Sequence, residues 1–312
     1  MGKTMHMKPR VAFVGEAMIE LIPLENGTSA QLSPAGDVLN SAAYFKRICG
    51  DTAHARFVTV VGDDPFSDKI IEISNRENIE TNGIRRLAGA SCGLYTISTS
   101  ESGERSFSYW RSASAARTLF TSPEDFTALR DCSVVLITGI TLAIMSVEAR
   151  EGLLAWIRDA QQGRGVKLAF DSNYRPRLWE SQSVAQEWTE RFWKATDIAF
   201  PSIDDEQELF GDADSAQVLK RFASYNVSTG ALKCGTDGTF LLGGQDKRVP
   251  AELVTKVVDT TAAGDSFNGG FLSGYVAGKS PEDCAQSGQR IARHVIQHPG
   301  GIVPRGPSSE NS

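Results

Sequence analysis

The chain has 312 residues, 41% hydrophobic and 22% charged, which is the balance of a folded globular protein and the length of one large domain or two modest ones. Thirty-two Lys and Arg against 38 Asp and Glu leave a net charge of −6, which sets aside a general nucleic-acid binder, since that class carries a basic surplus. No apolar run approaches the ~20 residues of a membrane span, MGKTMHMKPR lacks the apolar core of a secretory signal, and the five cysteines (Cys49, Cys92, Cys132, Cys234, Cys284) show no CxxC spacing and no even count. The expectation is a cytoplasmic chain with no nucleic-acid or membrane partner, no zinc site and no disulfide framework.

Short apolar runs alternate with helix-length amphipathic stretches. The pattern predicts strands over 11–14, 57–61, 134–137, 168–170, 198–200 and 238–242, with helices over 38–48, 66–73, 147–157, 184–193 and 206–210 between them. Buried runs spaced by helices are what a parallel sheet covered on both faces requires, so the fold class is α/β. From Gly83 to Arg111 the period changes to two, with Leu94, Thr96 and Ser98 against Tyr95 and Ile97, then Phe107 and Tyr109 against Ser106 and Ser108. The turn-rich ESGE at 101–104 makes these runs a hairpin. With residues 18–23, the hairpin predicts a small antiparallel sheet, drawn from about 18–34 and 83–111, inserted in a single domain over 1–312. It reads either as a lid over the carboxyl ends of the main strands or as a plain edge hairpin. Residues 307–312 have the composition of a disordered end.

The strongest chemical signal is Asp259-Thr260-Thr261-Ala262-Ala263-Gly264-Asp265, which runs into a helix expected to start near Asp265. A helix start leaves backbone N–H groups unpaired and partly positive, so it attracts anions, and Ala262, Ala263 and Gly264 have little side chain to keep a phosphate away. A carboxylate at Asp265 repels that phosphate unless it takes a proton from an attacking hydroxyl. The plainer reading makes Asp265 an N-cap in a tight turn. A near P-loop at 273–280 lacks its first glycine and follows a helix; Gly278 reads as a helix end and Ser280-Pro281 as the next helix start.

DTTAAGD followed by a Gly-rich helix resembles the second signature of the ribokinase (PfkB) family of carbohydrate kinases, usually written DTxGAGD. The likeness covers nearly the whole chain, through Gly15-Glu16, Ala35-Gly36-Asp37-Val38-Leu39-Asn40, Val61-Gly62-Asp63-Asp64 and Cys234-Gly235-Thr236-Asp237-Gly238. Tyr109-Trp110-Arg111 and the run DSNYRPRLW at 171–179 are similar to family members that phosphorylate 2-keto-3-deoxygluconate. The resemblance implies a three-layer α/β sandwich with a mostly parallel sheet and a β lid. It also implies Mg²⁺-dependent transfer of the ATP γ-phosphoryl group to the 6-hydroxyl of that sugar acid. A fructokinase or other neutral-sugar kinase of the same family is the first alternative, and a sugar-acid-binding regulatory protein with weak catalysis the second. In two places the chain departs from the pattern: Ala35 stands for the first of two glycines thought to hinge the lid, and Ala262 for the first glycine of GAG, which is harmless provided the backbone there needs no positive φ.

Carried over to matching positions, the resemblance makes Asp265 the base, with Ala262, Ala263 and Gly264 as the anion hole. Gly36, Asp37 and Asn40 would meet the sugar hydroxyls. Arg111 and Arg175 would compensate the carboxylate of a sugar acid, for which a forked guanidinium is suited, and Tyr95 and Tyr109 would close over it. Asn173, Lys233, Gly235, Thr236, Gly238 and, more weakly, His298 would contact ATP together with Gly264. The Mg²⁺ element is altered, at Pro201-Ser202-Ile203-Asp204-Asp205-Glu206, so Asp205 through water, or Glu206 instead, would organise the ion; an acidic helix start is the alternative for both. The resemblance also suggests a homodimer formed through the lid.

Overall fold

The computed structural model describes residues 8–24, 28–99, 105–245 and 247–305. Strands β1 (Arg10–Val14), β2 (Met18–Pro23) and β3 (Ala30–Ala35) precede helix α1 (Asp37–Cys49). Then come β4 (His54–Val61), α2 (Pro65–Arg76), β5 (Glu80–Arg86), β6 (Gly93–Thr99) and β7 (Arg105–Trp110). The middle of the chain carries α3 (Pro123–Thr127), β8 (Val134–Thr138), α4 (Gly139–Ile144), α5 (Val147–Arg164), β9 (Lys167–Asp171), α6 (Gln182–Trp193) and β10 (Ile198–Phe200). It ends with α7 (Ile203–Phe210), α8 (Ser215–Phe222), β11 (Thr229–Lys233), β12 (Thr239–Leu242), β13 (Arg248–Val249), α9 (Ala263–Val276) and α10 (Pro281–Val295).

Among the described residues nine strands form the main sheet, in the order β13-β12-β11-β10-β9-β8-β1-β4-β5. The pairings from β11 to β5 are parallel, while β12 and β13 run antiparallel at one edge. Alternate residues of each strand face opposite sides, which is why the apolar runs are continuous. Ala12, Val14, Ile137, Phe170 and Leu232 pack with Leu153, Ile157, Trp188, Trp193 and Val218 of α5, α6 and α8. Val11, Phe13, Leu136, Phe200 and Ala231 pack with Leu39, Phe45, Ile70, Phe271 and Ala285 of α1, α2, α9 and α10. This is the expected α/β sandwich, with each of the predicted strands and helices in place.

A second sheet has the order β3-β2-β6-β7, and it corrects the expected small sheet in two respects. Residues 83–86 lie in β5 of the main sheet, paired with β4, so the second part of the small sheet starts at Gly93. Gly83 is accommodated there because a Cβ would stand 2.6 Å from Phe57 O. Its central pair, β2 and β6, is parallel rather than antiparallel, because both strands continue forward from carboxyl ends of the parallel sheet, β2 after β1 and β6 after β5. The β6–β7 pair is the expected antiparallel hairpin, with Tyr95 opposite Tyr109; its ESGE turn and the tail at 307–312 lie outside the described residues.

No helix among the described residues is long and apolar enough to cross a membrane. Ser280 caps α10, accepting from the Asp283 amide at 3.2 Å with Pro281 behind it, and Gly278 closes α9 with φ 73°. The near P-loop at 273–280 is therefore a junction between helices.

Candidate active site

The parallel register sets the floor of the site. Thr138 at the end of β8 pairs with Asp171 at the end of β9, Asp171 with Phe200 of β10, and Lys233 ends β11. Polar side chains at the ends of otherwise apolar strands thus meet at one carboxyl edge, where open α/β sheets bind ligands. Lys233 Nζ donates to Asp171 Oδ2 at 2.7 Å, and Asn268 of α9 reaches the same oxygen through Nδ2. Asp171, Thr138 and Asn268 were given no role by sequence reasoning, although a buried carboxylate closing a buried strand is a usable signal.

Helices α1 and α9 bring the acids together. Gly269 lets them touch, since a Cβ there would lie 2.5 Å from Ser41 O. Across that contact Asn40 Nδ2 donates to Asp265 Oδ2 (2.9 Å) and Ser41 Oγ to Asp265 O (2.9 Å). Burial, then the nearby charge of Asp37, push the Asp265 carboxyl up to about 7. Asp37 Oδ2 accepts from Thr138 Oγ1 (2.6 Å) and Asn173 Nδ2 (2.9 Å), and burial raises its pKa as well. Gly36 is required by packing: a Cβ would stand 2.5 Å from Glu16 O.

Helix α9 starts at Ala263, two residues ahead of the expected point, with no side-chain cap. The expected three-amide anion hole needs correction, because Ala263 N–H is turned inward onto Thr260 O (3.2 Å). The amides of Ala262, Gly264 and Asp265 carry no such bond among the described residues. Lys233 Nζ lies beside them, 3.4 Å from where a Cβ on Gly264 would be. The proviso on Ala262 also fails. Its φ is 60°, the left-handed region that glycine occupies without strain.

Arg111 follows β7 and is nearly enclosed, paired through Nη2 with the equally buried Glu16 that follows β1. Glu16 Oε1 and Arg111 Nε have no partner among the described residues, and burial pushes the Glu16 carboxyl up despite the guanidinium. Tyr109 is half exposed, lies 5.7 Å from the buried Tyr95 ring and has the Arg111 guanidinium 5.9 Å from its centre. Burial raises the Tyr95 hydroxyl pKa, and Glu20 adds to that. Arg175 is more open, 3.5 Å from Asp205 Oδ1. Asp205 Oδ2 accepts from Ser172 Oγ (3.1 Å), and burial raises its pKa. Glu206 instead lies fully buried on Arg221 Nη2 (2.8 Å), where burial lifts it to about 7; of the two, only Asp205 faces the site.

The expected nucleotide contacts are spread out. Asn173 is grouped with Asp37 rather than with the exposed turn of Gly235 and Thr236. Gly238, with φ 88°, is explained by packing, since a Cβ would lie 2.3 Å from Val249 O. His298 is bonded through Nδ1 to His294 O (2.9 Å), at the head of a loop that clips back onto the site: Gly300 N–H donates to Asp259 Oδ2 (3.0 Å) and Tyr44 O–H to Gly301 O (2.8 Å). Among the described residues no three His, Cys, Asp or Glu side chains form a metal cage. The donor set at Asp205 suits a hydrated Mg²⁺ shared with phosphates rather than a protein-enclosed ion.

Comparison with known proteins places this geometry. The family model for the pfkB family carbohydrate kinases matches residues 8–306. The 2-dehydro-3-deoxygluconokinase of Haemophilus influenzae is 38% identical over 307 residues, covering 95% of this chain and 96% of that protein. A fructokinase of Vibrio alginolyticus is more distant, 28% identical over 264 residues, covering 85% and 83%. The crystal structure of a 2-dehydro-3-deoxygluconokinase from Thermotoga maritima superposes with a TM-score of 0.82 at 22% identity, covering 95% of this chain and 96% of that one. The chain belongs to the pfkB family of carbohydrate kinases.

Proposed function

We propose that the protein is an ATP-dependent kinase of 2-keto-3-deoxygluconate (2-dehydro-3-deoxygluconate), forming the 6-phosphate. The reading is carried by the similarity to the Haemophilus enzyme over almost the full length, and the layout of charge agrees with it. The 6-hydroxyl loses its proton to Asp265 as its oxygen attacks the γ-phosphorus of ATP, and ADP leaves in line. Asn40 holds Asp265 in place, the amides of Ala262, Gly264 and Asp265 with Lys233 take the charge on the transferring group, and Asp37 orients the sugar. Arg111 and Arg175 meet the carboxylate, and Tyr95 and Tyr109 cover it from the small sheet, which acts as a lid. Gly235, Thr236 and His298 belong to the nucleotide side. Mg²⁺ supplies charge neutralisation at the phosphates and would be held through Asp205 and water. The protein works in the cytoplasm, and a second copy covers the small sheet, where Leu32, Phe107 and Trp110 are exposed; a monomer by light scattering at working concentration would remove that last element.

One observation favours a neutral sugar instead: Glu16 already compensates Arg111. ADP release with MgATP and, in parallel, 2-keto-3-deoxygluconate, fructose, ribose or no sugar decides. Turnover confined to the keto-deoxy acid supports the proposal, and turnover with fructose replaces its substrate while keeping Asp265.

A further inference from the structure

Besides the Glu206–Arg221 pair, a second charged side chain that takes no part in the chemistry above is wholly enclosed. Arg150 of α5 is 0% exposed. Its Nε donates to Leu142 O of α4 (2.7 Å) and its Nη2 pairs with Glu180 (3.0 Å). The guanidinium lies 4.8 Å from the Trp179 ring centre and 5.6 Å from that of Trp188, and Nη1 has no partner among the described residues. Burying a guanidinium with a half-exposed carboxylate as its one counter-charge is a poor way to fill space, because a hydrophobic side chain of the same volume would do it at lower cost.

The groups Arg150 touches lead to the acid-binding end of the site. Helix α4 begins directly after Thr138, which holds Asp37, and Gly139 packs so closely on Ser172 O that a Cβ would lie 2.0 Å away. Trp179 and Glu180 close the segment 172–180 whose other end carries Asn173 and Arg175. Asn173 is fixed by its own bond to Asp37. Arg175 is not: it is exposed, reaching Tyr174 O beside it and Asp205 at 3.5 Å. A short 3-10 turn over Pro176–Leu178 joins it to Trp179.

We propose that Arg150 is a positioning residue for Arg175: stacked on Trp179 and hooked to Leu142 O, it locks the 172–180 segment against α4 and so sets where the Arg175 fork stands. The proposal rests on Arg175 meeting the substrate carboxylate. Lysine retains the charge but has neither the plane nor the fork, so it cannot make the clamp.

Steady-state kinetics on the full chain test it. Arg150→Lys raises KM for 2-keto-3-deoxygluconate about fivefold or more and leaves KM for ATP within about twofold. In the Arg175→Ala background the same change adds nothing beyond about twofold, since the clamp acts through Arg175. Should Arg150→Lys fail to fold, Trp179 carries the test: Trp179→Phe keeps an aromatic ring and the wild-type KM, and Trp179→Ala reproduces the rise. The proposal is overturned if Arg150→Lys or Trp179→Ala lowers the melting temperature with both KM values unmoved, or if the Arg150 and Arg175 effects multiply independently. A normal Arg150→Lys beside an impaired Arg175→Ala removes the clamp alone. A normal Arg175→Ala removes the carboxylate role and the clamp with it.

Discussion

The two ends of the site are built on different principles. In the proposed mechanism the phosphoryl end is local: seven consecutive residues, Asp259 to Asp265, hold the turn, the open amides and the proposed base, and one close helix contact at Gly269 adds Asn40. The proposed acid end is assembled from four distant segments, with Glu16 after β1, Tyr95 on β6, Tyr109 and Arg111 at the end of β7, and Arg175 after β9. A local site depends on helix geometry, which survives most substitutions. An assembled site depends on buried charge and packing, so damage to it falls on stability and substrate binding together.

The largest break in this contrast is expected at the local end. Asp265→Asn removes the proposed proton acceptor and keeps the shape, so kcat should fall by about 10²–10⁴-fold with ATP binding unchanged. Single-turnover assay and nucleotide titration check it, and near-normal turnover would take Asp265 out of the mechanism.

At the assembled end the two arginines should separate. Arg111→Ala leaves Glu16 buried without its counter-charge, a loss of about 3–5 kcal/mol for pairs of this kind, besides raising KM for the sugar acid. Without Arg111, Glu16 must hold a proton to stay buried. A carboxyl whose folded pKa lies above its unfolded one stabilises at low pH and loses that contribution as pH rises through the folded value. The variant should therefore melt closer to the parent at pH 5 than at pH 8. Arg175→Ala, at an exposed position, should raise the same KM with little change in melting temperature. Equal thermal losses in both variants would dissolve the distinction between them.

A pH profile probes the local end more gently. With Asp265 raised to about 7 by burial and by Asp37, kcat/KM should drop about tenfold per unit below that point and level off above it. A carboxylate of ordinary pKa would stay flat down to about pH 5. A profile flat to that depth would mean that Asp265 is better solvated than its enclosure implies.

The same contrast explains what could be read from the amino acids alone. The α/β class was legible because each apolar run is long enough to be buried on both faces, and DTTAAGD because its chemistry is contiguous. Thr138 and Asp171 were not assigned, because what makes them a pair is strand register, which no spacing encodes. Glu16 reads in the sequence only as part of a motif, since what pairs it is Arg111, 95 residues away. Asn173 and Glu206 show the limit of matching by position: the backbone turn takes Asn173 to Asp37, and Arg221 takes Glu206 away from the site.

The smallest expected effect belongs to Ala262, where three modest energies compete. Holding an alanine at φ 60° costs about 1–2 kcal/mol, and Ala262→Gly would relieve it. Glycine, however, gives the unfolded chain about 0.4–1 kcal/mol of extra entropy. The Ala262 methyl is also buried against Tyr44, Val295 and Val303, and losing it costs about 0.8 kcal/mol. The sum is close to zero, so Ala262→Gly should shift the melting temperature by less than about 4 °C. Because that methyl packs on the loop that Tyr44 clips down, its loss should loosen the loop while leaving the Ala262 amide free. Hydrogen exchange should therefore quicken at Val303, whose amide donates to Tyr44 at 3.0 Å, with kcat within about twofold. A large fall in kcat would show instead that the methyl packing is what holds the Ala262 amide toward the phosphoryl group, and the local end of the site would then depend on distant packing as the acid end does.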